Sequence, residues 1–213
     1  MSLATARPRH LIGGSPDHRS KRAARVYMPG EDAYGIRVLP GDYYTTDAED
    51  EVIVTILGSC VAACVRDPRT GFGGMNHFML PESESGHWSG VSAAMRYGNH
   101  AMETLINAVL TTGCRREDLE IKLFGGADLN EGPMVGTMNA RFALKYLEIE
   151  GLWPDAVDLG GNLARRIHYR PANGKVQRLF LKPMNVKTVV AEESRYISTI
   201  SHAPQEGAIE LFD

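Results

Sequence analysis

The sequence has few cysteines, no long apolar run and no marked excess of charge of either sign. Its three cysteines are an odd, sparse set, which argues against a disulfide framework and suits a reducing compartment. A formal net charge of -3 gives no general attraction to nucleic acid or to anionic lipid. No apolar run approaches the length of a bilayer span, and no secretory segment is evident at the N-terminus. We therefore expect a cytoplasmic protein with no nucleic-acid partner and no membrane insertion.

Motifs for nucleotide or metal binding are also missing. The glycine pairs match neither the dinucleotide-binding fingerprint nor the phosphate-binding loop. Zinc bound by Cys60, Cys64 and His77 is the main alternative site, but an extended chain at about 3.3 Å per residue separates the two sulfurs by roughly 13 Å. A helix between the cysteines would bring them together, yet no fourth ligand has the usual spacing. The sequence predicts no metal and no cofactor.

Composition and punctuation divide the chain into three segments. A hydrophobic fraction of 43% and a charged fraction of 23% are typical of one soluble globular domain. Residues 1–35 are rich in arginine, proline and glycine, and we interpret them as a flexible basic arm, a solubilising tail or alternatively a docking arm. Residues 36–182 form the predicted domain, and residues 183–213 form a C-terminal extension with one short helix over 187–200.

Hydrophobic periodicity and turn signals predict an α+β fold. Two helices are expected, at 91–110 and 137–150, each stopped by a glycine. Asn173-Gly174 between two strand-like runs is a strong β-hairpin signal. The order of elements indicates a layered α/β domain in which the helices pack on a largely antiparallel sheet. The predicted strands are 36–39, 43–46, 52–57, 61–66, 74–80, 119–124, 157–159, 165–170 and 176–181.

Cys60 and His77 are the residues that indicate chemistry. A free cysteine is usually a small buried hydrophobe, but Cys60 follows a Gly-Ser turn signal at a strand end, where a thiol can be exposed. If the strands on either side of the 67–73 turn pair antiparallel, His77 approaches Cys60 across the sheet. An imidazole beside a thiol is the arrangement that activates a nucleophile. The alternative for His77 is a hydrogen-bonded core residue.

A catalytic imidazole needs a group that orients it, and the thiol needs donors for an oxyanion. Thr55 places a hydroxyl on an apolar strand face, where it requires a partner, although it could simply be a β-branched strand residue. Backbone N–H groups near Cys60, those of Gly58, Ser59 and Val61, can face an incoming carbonyl oxygen. Asn76 adjoins His77 but points to the opposite strand face. It is a poorer orienter and a further candidate for substrate contact.

Taken together, these residues resemble the chemoreceptor glutamine deamidase family, CheD. The similar stretch runs from about residue 41 to residue 182 and leaves both terminal extensions uncovered. Its blocks are Leu-Gly-Ser-Cys-Val-Ala at 57–62, Asp-Pro at 67–68, Gly-Gly-Met-Asn-His-Phe-Met-Leu-Pro at 73–81, Arg-Tyr-Gly at 96–98, Lys-Leu-Phe-Gly-Gly-Ala at 122–127 and Asp-Leu-Gly-Gly at 158–161.

The resemblance implies an α/β sandwich and a cysteine amidohydrolase, a protein-glutamine glutaminase. Its nucleophile, base and third triad member fall on Cys60, His77 and Thr55. The implied reaction converts glutamine side chains of methyl-accepting chemotaxis receptors to glutamate through a thioester, with methylesterase activity as a natural side reaction. No cofactor is implied.

Two other hypotheses stay open at this point. The chain could be a chemotaxis adaptor that binds receptors or a CheC-type phosphatase, with catalysis secondary. It could also be a thiol hydrolase or transglutaminase-like enzyme that acts on other proteins.

Overall fold

The computed structural model describes residues 25–80, 93–129 and 134–182, together with Ala191, Glu193 and Arg195. Within these ranges the chain forms ten strands, two α-helices and one short 3-10 helix, an α+β fold as predicted. The strands are β1 (Arg25–Met28), β2 (Ala33–Arg37), β3 (Tyr43–Thr46), β4 (Glu51–Leu57), β5 (Val61–Arg66), β6 (Gly73–Asn76), β7 (Glu120–Gly125), β8 (Ala156–Leu159), β9 (Arg165–Arg170) and β10 (Lys175–Phe180). The helices are α1 (Ala93–Leu110) and α2 (Val135–Ile149), and the 3-10 helix is Arg116–Asp118.

The strands form two five-stranded sheets rather than the one sheet expected. The first sheet has the order β1-β2-β4-β9-β10 and the second β3-β6-β5-β7-β8. Each contains one parallel pair, β2 with β4 and β7 with β8, so the expectation of a largely antiparallel sheet is only partly correct. The second sheet arises because the short break after β4 sends the chain to new partners. Strand β5 pairs with β6 and β7, whereas β4 pairs with β2 and β9.

Strand β5 is buried on both faces, which explains its unbroken run of small and branched apolar residues. Val61, Ala63 and Val65 belong to a cluster that includes residues of α1 and α2. Cys64 and Ala62 belong to a second cluster, shared with residues of the first sheet. Apolar side chains therefore cover both faces of β5, as in other strands without a solvent face. One face meets the helices and the other meets the first sheet.

Several local predictions are confirmed and one boundary is not. β9 and β10 form the predicted hairpin around Asn173-Gly174. The predicted arm of residues 1–35 extends too far, because β1 is an exposed edge strand paired with β2 and the fold therefore begins by residue 25. Residues 1–24, the predicted loop at 82–90 and most of the predicted helix at 187–200 lie outside the described residues. Ala191, Glu193 and Arg195 have helical conformation.

Neither α1 nor α2, nor any other helix in the described part of the chain, is long and apolar enough to cross a membrane.

Gly74 in β6 allows β3 to approach closely. A Cβ atom at Gly74 would lie 2.2 Å from the Tyr44 carbonyl oxygen, whereas one at Gly30 would have no neighbour within 4 Å. We expect Gly74→Ala to lower the free energy of unfolding by about 1–3 kcal/mol, because backbone must move to admit the methyl group. Gly30→Ala is the matched control and should change it by less than about 0.5 kcal/mol. Urea unfolding measures both, and equal stabilities would contradict this packing.

Candidate active site

Residues 58–60 carry the chain from the last residue of β4 in one sheet to the first residue of β5 in the other. Their carbonyl groups are each held by a neighbouring element. The Gly58 oxygen accepts from Ala127 N at 2.8 Å, and the Cys60 oxygen accepts from Gly126 N at 2.7 Å. The Ser59 oxygen accepts from the Asn139 side-chain amide at 2.9 Å. The N–H groups of the same three residues have their partner outside the two sheets.

All three N–H groups bind one acceptor, the carboxylate of Glu193. Its Oε1 accepts from Gly58 N at 3.0 Å and from Cys60 N at 3.2 Å. Its Oε2 accepts from Ser59 N at 3.3 Å and from the Ser59 hydroxyl at 2.7 Å. Successive N–H groups that converge on one point form a nest that favours negative charge. The loop that carries Cys60 is therefore an anion-binding loop.

Gly125 allows the turn after β7 to approach this loop. Its φ of 109° lies in a region that favours glycine. A Cβ atom there would lie 2.2 Å from the Cys60 carbonyl oxygen, so any side chain would push the cysteine away. The close approach is what lets the Gly126 N–H reach Cys60.

Cys60 is fully buried, which corrects the expectation of an exposed thiol. The Glu193 carboxylate accepts from the backbone N–H of Cys60. Burial raises the pKa of the Cys60 thiol well above its usual value, and the negative charge of Glu193 raises it further. The thiol is therefore buried and protonated.

Cys60 and His77 lie on the same face of the second sheet. Val61 and Phe78 are directly opposed, with each N–H donating to the other's carbonyl at 2.9 Å. Their side chains join the helix-side cluster, whereas Cys60 belongs to the cluster between the sheets. By alternation along the strands, Cys60 and His77 flank this pair diagonally on the face opposite the helices. This is the antiparallel arrangement that the turn at 67–73 predicts.

Thr55 determines which nitrogen of His77 carries the proton. The Thr55 hydroxyl donates to the Val38 carbonyl at 2.8 Å, so its single hydrogen is used. The same oxygen lies 2.8 Å from His77 Nδ1 and can therefore only accept from it. The Nδ1 atom carries the hydrogen, and Nε2 of the neutral ring holds a free lone pair.

The Nε2 atom of His77 is buried and makes no hydrogen bond within the described part of the chain. Burial lowers the pKa of His77 to about 4, and the nearby positive charge of Arg37 acts in the same direction. The ring is thus neutral at physiological pH. A buried lone pair without a partner, on the strand face that holds Cys60, is suited to take up a proton from the thiol.

The remaining candidates have other contacts. The Val61 N–H donates to Phe78 and is not available to an oxyanion. Asn76 accepts from Ala63 N at 2.8 Å and donates to the Ala101 carbonyl at 2.9 Å, which joins β5 to α1 on the helix side. Burial raises the pKa of both other cysteines, Cys64 and Cys114. In the described part of the chain, no three His, Cys, Asp or Glu residues cluster as metal ligands.

Comparison with known proteins gives relatives along most of the chain. A Rhodopseudomonas palustris protein is 46% identical over 92% of this chain and 96% of its own length. A Hydrogenovibrio crunogenus protein is 47% identical over 86% of this chain and 97% of its own length. Both bear the name probable chemoreceptor glutamine deamidase CheD. This chain belongs to the CheD family.

The family description that matches residues 79–179 is CheD chemotactic sensory transduction. That range begins just after His77 and does not include the Cys60 loop. The longer matches to the two relatives do include this loop. Among solved structures, a Neisseria meningitidis protein is 14% identical and covers 57% of this chain and 52% of that one. Its TM-score of 0.34 is too low for a comparison of the two folds.

Sequence reasoning misses two residues that hold the Cys60 loop of this CheD-family chain. Asn139 is fully buried on α2, where it donates to the Ser59 carbonyl and accepts from the Leu80 N–H at 3.0 Å. A buried asparagine in an apolar helix face is the only signal it offers. Glu193 is in the C-terminal extension, where nothing in its neighbourhood marks it. Both act over long sequence separations, 80 residues for Asn139 and 133 for Glu193 to Cys60.

Protonation of His77 should weaken the fold in acid. The folded protein protonates His77 only near pH 4, whereas the unfolded chain does so below its ordinary value of 6.5. Between these values the unfolded state binds more protons, so the free energy of unfolding should fall as pH drops from about 6.5 to about 4. His77→Gln does not titrate there and should lose less stability in urea unfolding over that interval. The same pH dependence in both proteins would refute the buried neutral imidazole.

Removal of the Thr55 hydroxyl should free the His77 ring. Thr55→Val preserves the branched shape but removes the Thr55 oxygen that accepts from Nδ1–H, which should lower the free energy of unfolding by about 1–3 kcal/mol. Nitrogen NMR of the imidazole should show the hydrogen on Nδ1 in the wild type and a mixture of tautomers in the variant. Thr55→Ser keeps the hydroxyl and is the control. A wild-type ring with its hydrogen on Nε2 would contradict the assignment.

Proposed function

We propose that this protein hydrolyses glutamine side chains of methyl-accepting chemotaxis receptors to glutamate. The name shared by its relatives supports this substrate, since they are called probable chemoreceptor glutamine deamidases. The observation that carries the proposal is the pairing of an anion-binding loop at Cys60 with an unpartnered His77 nitrogen on the same strand face. Acyl transfer needs both parts, a nucleophile with a base and donors for the oxyanion.

The thiol is the nucleophile in the proposed first step. Its proton passes to His77 Nε2 as sulfur bonds to the amide carbon of the glutamine. The carbonyl oxygen becomes an oxyanion in the position between the Gly58 and Cys60 N–H groups. His77 then returns the proton to the departing nitrogen, and ammonia leaves with a thioester remaining on Cys60.

Water completes the reaction at the same groups. His77 Nε2 takes a proton from the water as its oxygen attacks the thioester carbon, and the sulfur leaves with that proton as the thiol. Glutamate is released and the enzyme returns to its starting state. Because burial disfavours both thiolate and imidazolium, proton transfer is expected to accompany attack on the substrate rather than precede it.

Thr55 holds the imidazole for both steps. It fixes the hydrogen on Nδ1, so that Nε2 is the nitrogen that exchanges protons. Thr55 is therefore a positioning residue, the orienting group in an arrangement of nucleophile, base and orienting group. A glutamate methyl ester would form the same thioester, so methylesterase activity is an expected side reaction.

The finer features of the proposal follow from the family. Action on the cytoplasmic domains of receptors implies a cytoplasmic enzyme, and a CheC-type phosphatase is its predicted partner. A layered α/β sandwich is the proposed architecture, supported by one apolar cluster shared by the two sheets and another shared by the second sheet and the helices.

The proposed reaction requires Cys60 and His77 and should not require the other cysteines. Cys60→Ala should abolish conversion of glutamine to glutamate in the cytoplasmic domain of a receptor. His77→Ala should slow it by about 10²–10⁴-fold, because a positioned base supplies a factor of that order. Mass spectrometry of receptor peptides measures the conversion, and Cys114→Ala is the control that should retain it. Undiminished conversion by Cys60→Ala would refute the proposal.

A further inference from the structure

Glu193 has the chemistry of the reaction product. Hydrolysis of a glutamine side chain yields a glutamate carboxylate, and a glutamate carboxylate lies on the Cys60 loop. One of its oxygens is within hydrogen-bond distance of both the Gly58 and Cys60 N–H groups, where a substrate carbonyl oxygen would be held. The other accepts from the Ser59 hydroxyl, which can turn to accept a hydrogen from the amide nitrogen of a substrate.

The loop is shaped to hold this carboxylate. A Cβ atom at Gly58 would lie 2.8 Å from Oε1 and 3.1 Å from Oε2 of Glu193, so any side chain at that position would fill the space. Glu193 is 6% exposed, whereas Ala191 and Arg195 on either side are exposed. The side chain is thus inserted from a helical backbone into a site that would otherwise leave three N–H groups unpaired.

We propose that Glu193 occupies the active site as a tethered product, so that the C-terminal segment inhibits the enzyme in cis. This inference rests on the proposed function and adds a mode of regulation to it. A receptor side chain must displace Glu193 before Cys60 can react. Tethering makes the competitor effectively concentrated, on the order of millimolar for a short linker, without any binding partner.

The same carboxylate also disfavours the thiolate of the nucleophile. Glu193 places a negative charge beside the thiol and occupies the N–H donors of its loop. Displacement of Glu193 removes both effects together, because the carboxylate that opposes the thiolate is also the group that blocks the N–H donors.

Replacement of Glu193 by glutamine should turn the inhibitor into a substrate. In Glu193→Gln, the amide carbon lies where the receptor glutamine is attacked, so residue 193 should convert to glutamate during incubation. Peptide mass spectrometry detects the change at this position. Gln177, exposed on β10, is an internal control that should remain unchanged. The Glu193→Gln, Cys60→Ala double variant should not convert.

The kinetic order of this conversion distinguishes a reaction within one molecule from a reaction between two molecules. Conversion in cis should proceed at a rate per molecule that does not depend on protein concentration. Labelled double variant mixed with unlabelled Glu193→Gln should remain unconverted. Persistence of the introduced amide at position 193 in a folded, Cys60-intact protein would overturn the inference.

Removal of the carboxylate provides a second readout that does not involve the amide. Glu193→Ala should be alkylated at Cys60 by iodoacetamide about tenfold faster than the wild type or more, since a millimolar tethered competitor is lost. Glu148→Ala, which removes an exposed glutamate on α2, is the control and should leave the rate unchanged. Equal rates at Cys60 in Glu193→Ala and the wild type would also overturn the inference.

Failure of the inference can be told apart from failure of the proposed function. Neither the conversion of position 193 in Glu193→Gln nor the alkylation rate requires a receptor. Conversion at position 193 without action on receptors would refute the proposed substrate and support tethered inhibition. Receptor deamidation by the wild type, with a persistent amide in Glu193→Gln and unchanged alkylation in Glu193→Ala, would refute tethered inhibition alone. With both correct, Glu193→Ala should deamidate receptor peptides faster than the wild type.

Discussion

Hydrogen bonding of the buried backbone at residues 58–60 is the constraint on which the site depends. A buried peptide must pair both its carbonyl and its N–H group, and these three residues leave one sheet without yet joining the other. The turn after β7 and Asn139 of α2 take the carbonyls. The N–H groups then converge on one acceptor position beside Cys60. An anion site beside Cys60 is a consequence of where the two sheets separate.

The proposed catalytic groups come from both sheets. Thr55 belongs to the first sheet, whereas Cys60 and His77 flank the Val61–Phe78 pair at the end of the second. The His77 ring is therefore oriented by a strand of the other sheet, and an apolar cluster shared by the two sheets lies around Cys60. Burial raises the pKa of the Cys60 thiol and lowers that of His77, so both groups are neutral in the folded chain.

Sequence patterns predict most of the local structure and fail at the choice of strand partners. Turn signals at 67–73 and at Asn173-Gly174 join neighbours in sequence, so both antiparallel pairings follow from them. The pairing of β4 with β9 joins residues more than a hundred positions apart. No local signal records that choice, and the division into two mixed sheets is decided by it. The Asn139 contact escapes prediction for the same reason.

By itself, the sequence determines the kinds of group in the site: a cysteine after a glycine turn, a histidine across a predicted hairpin and a hydroxyl on the preceding strand. Tertiary structure decides their states. It selects the Nδ1 tautomer of His77 through Thr55 and Val38, and it buries the Cys60 thiol. It also brings Glu193 onto the loop from the far end of the chain. Protonation, burial and occupancy depend on which distant polar groups pair inside the fold, and only the folded chain makes those pairs.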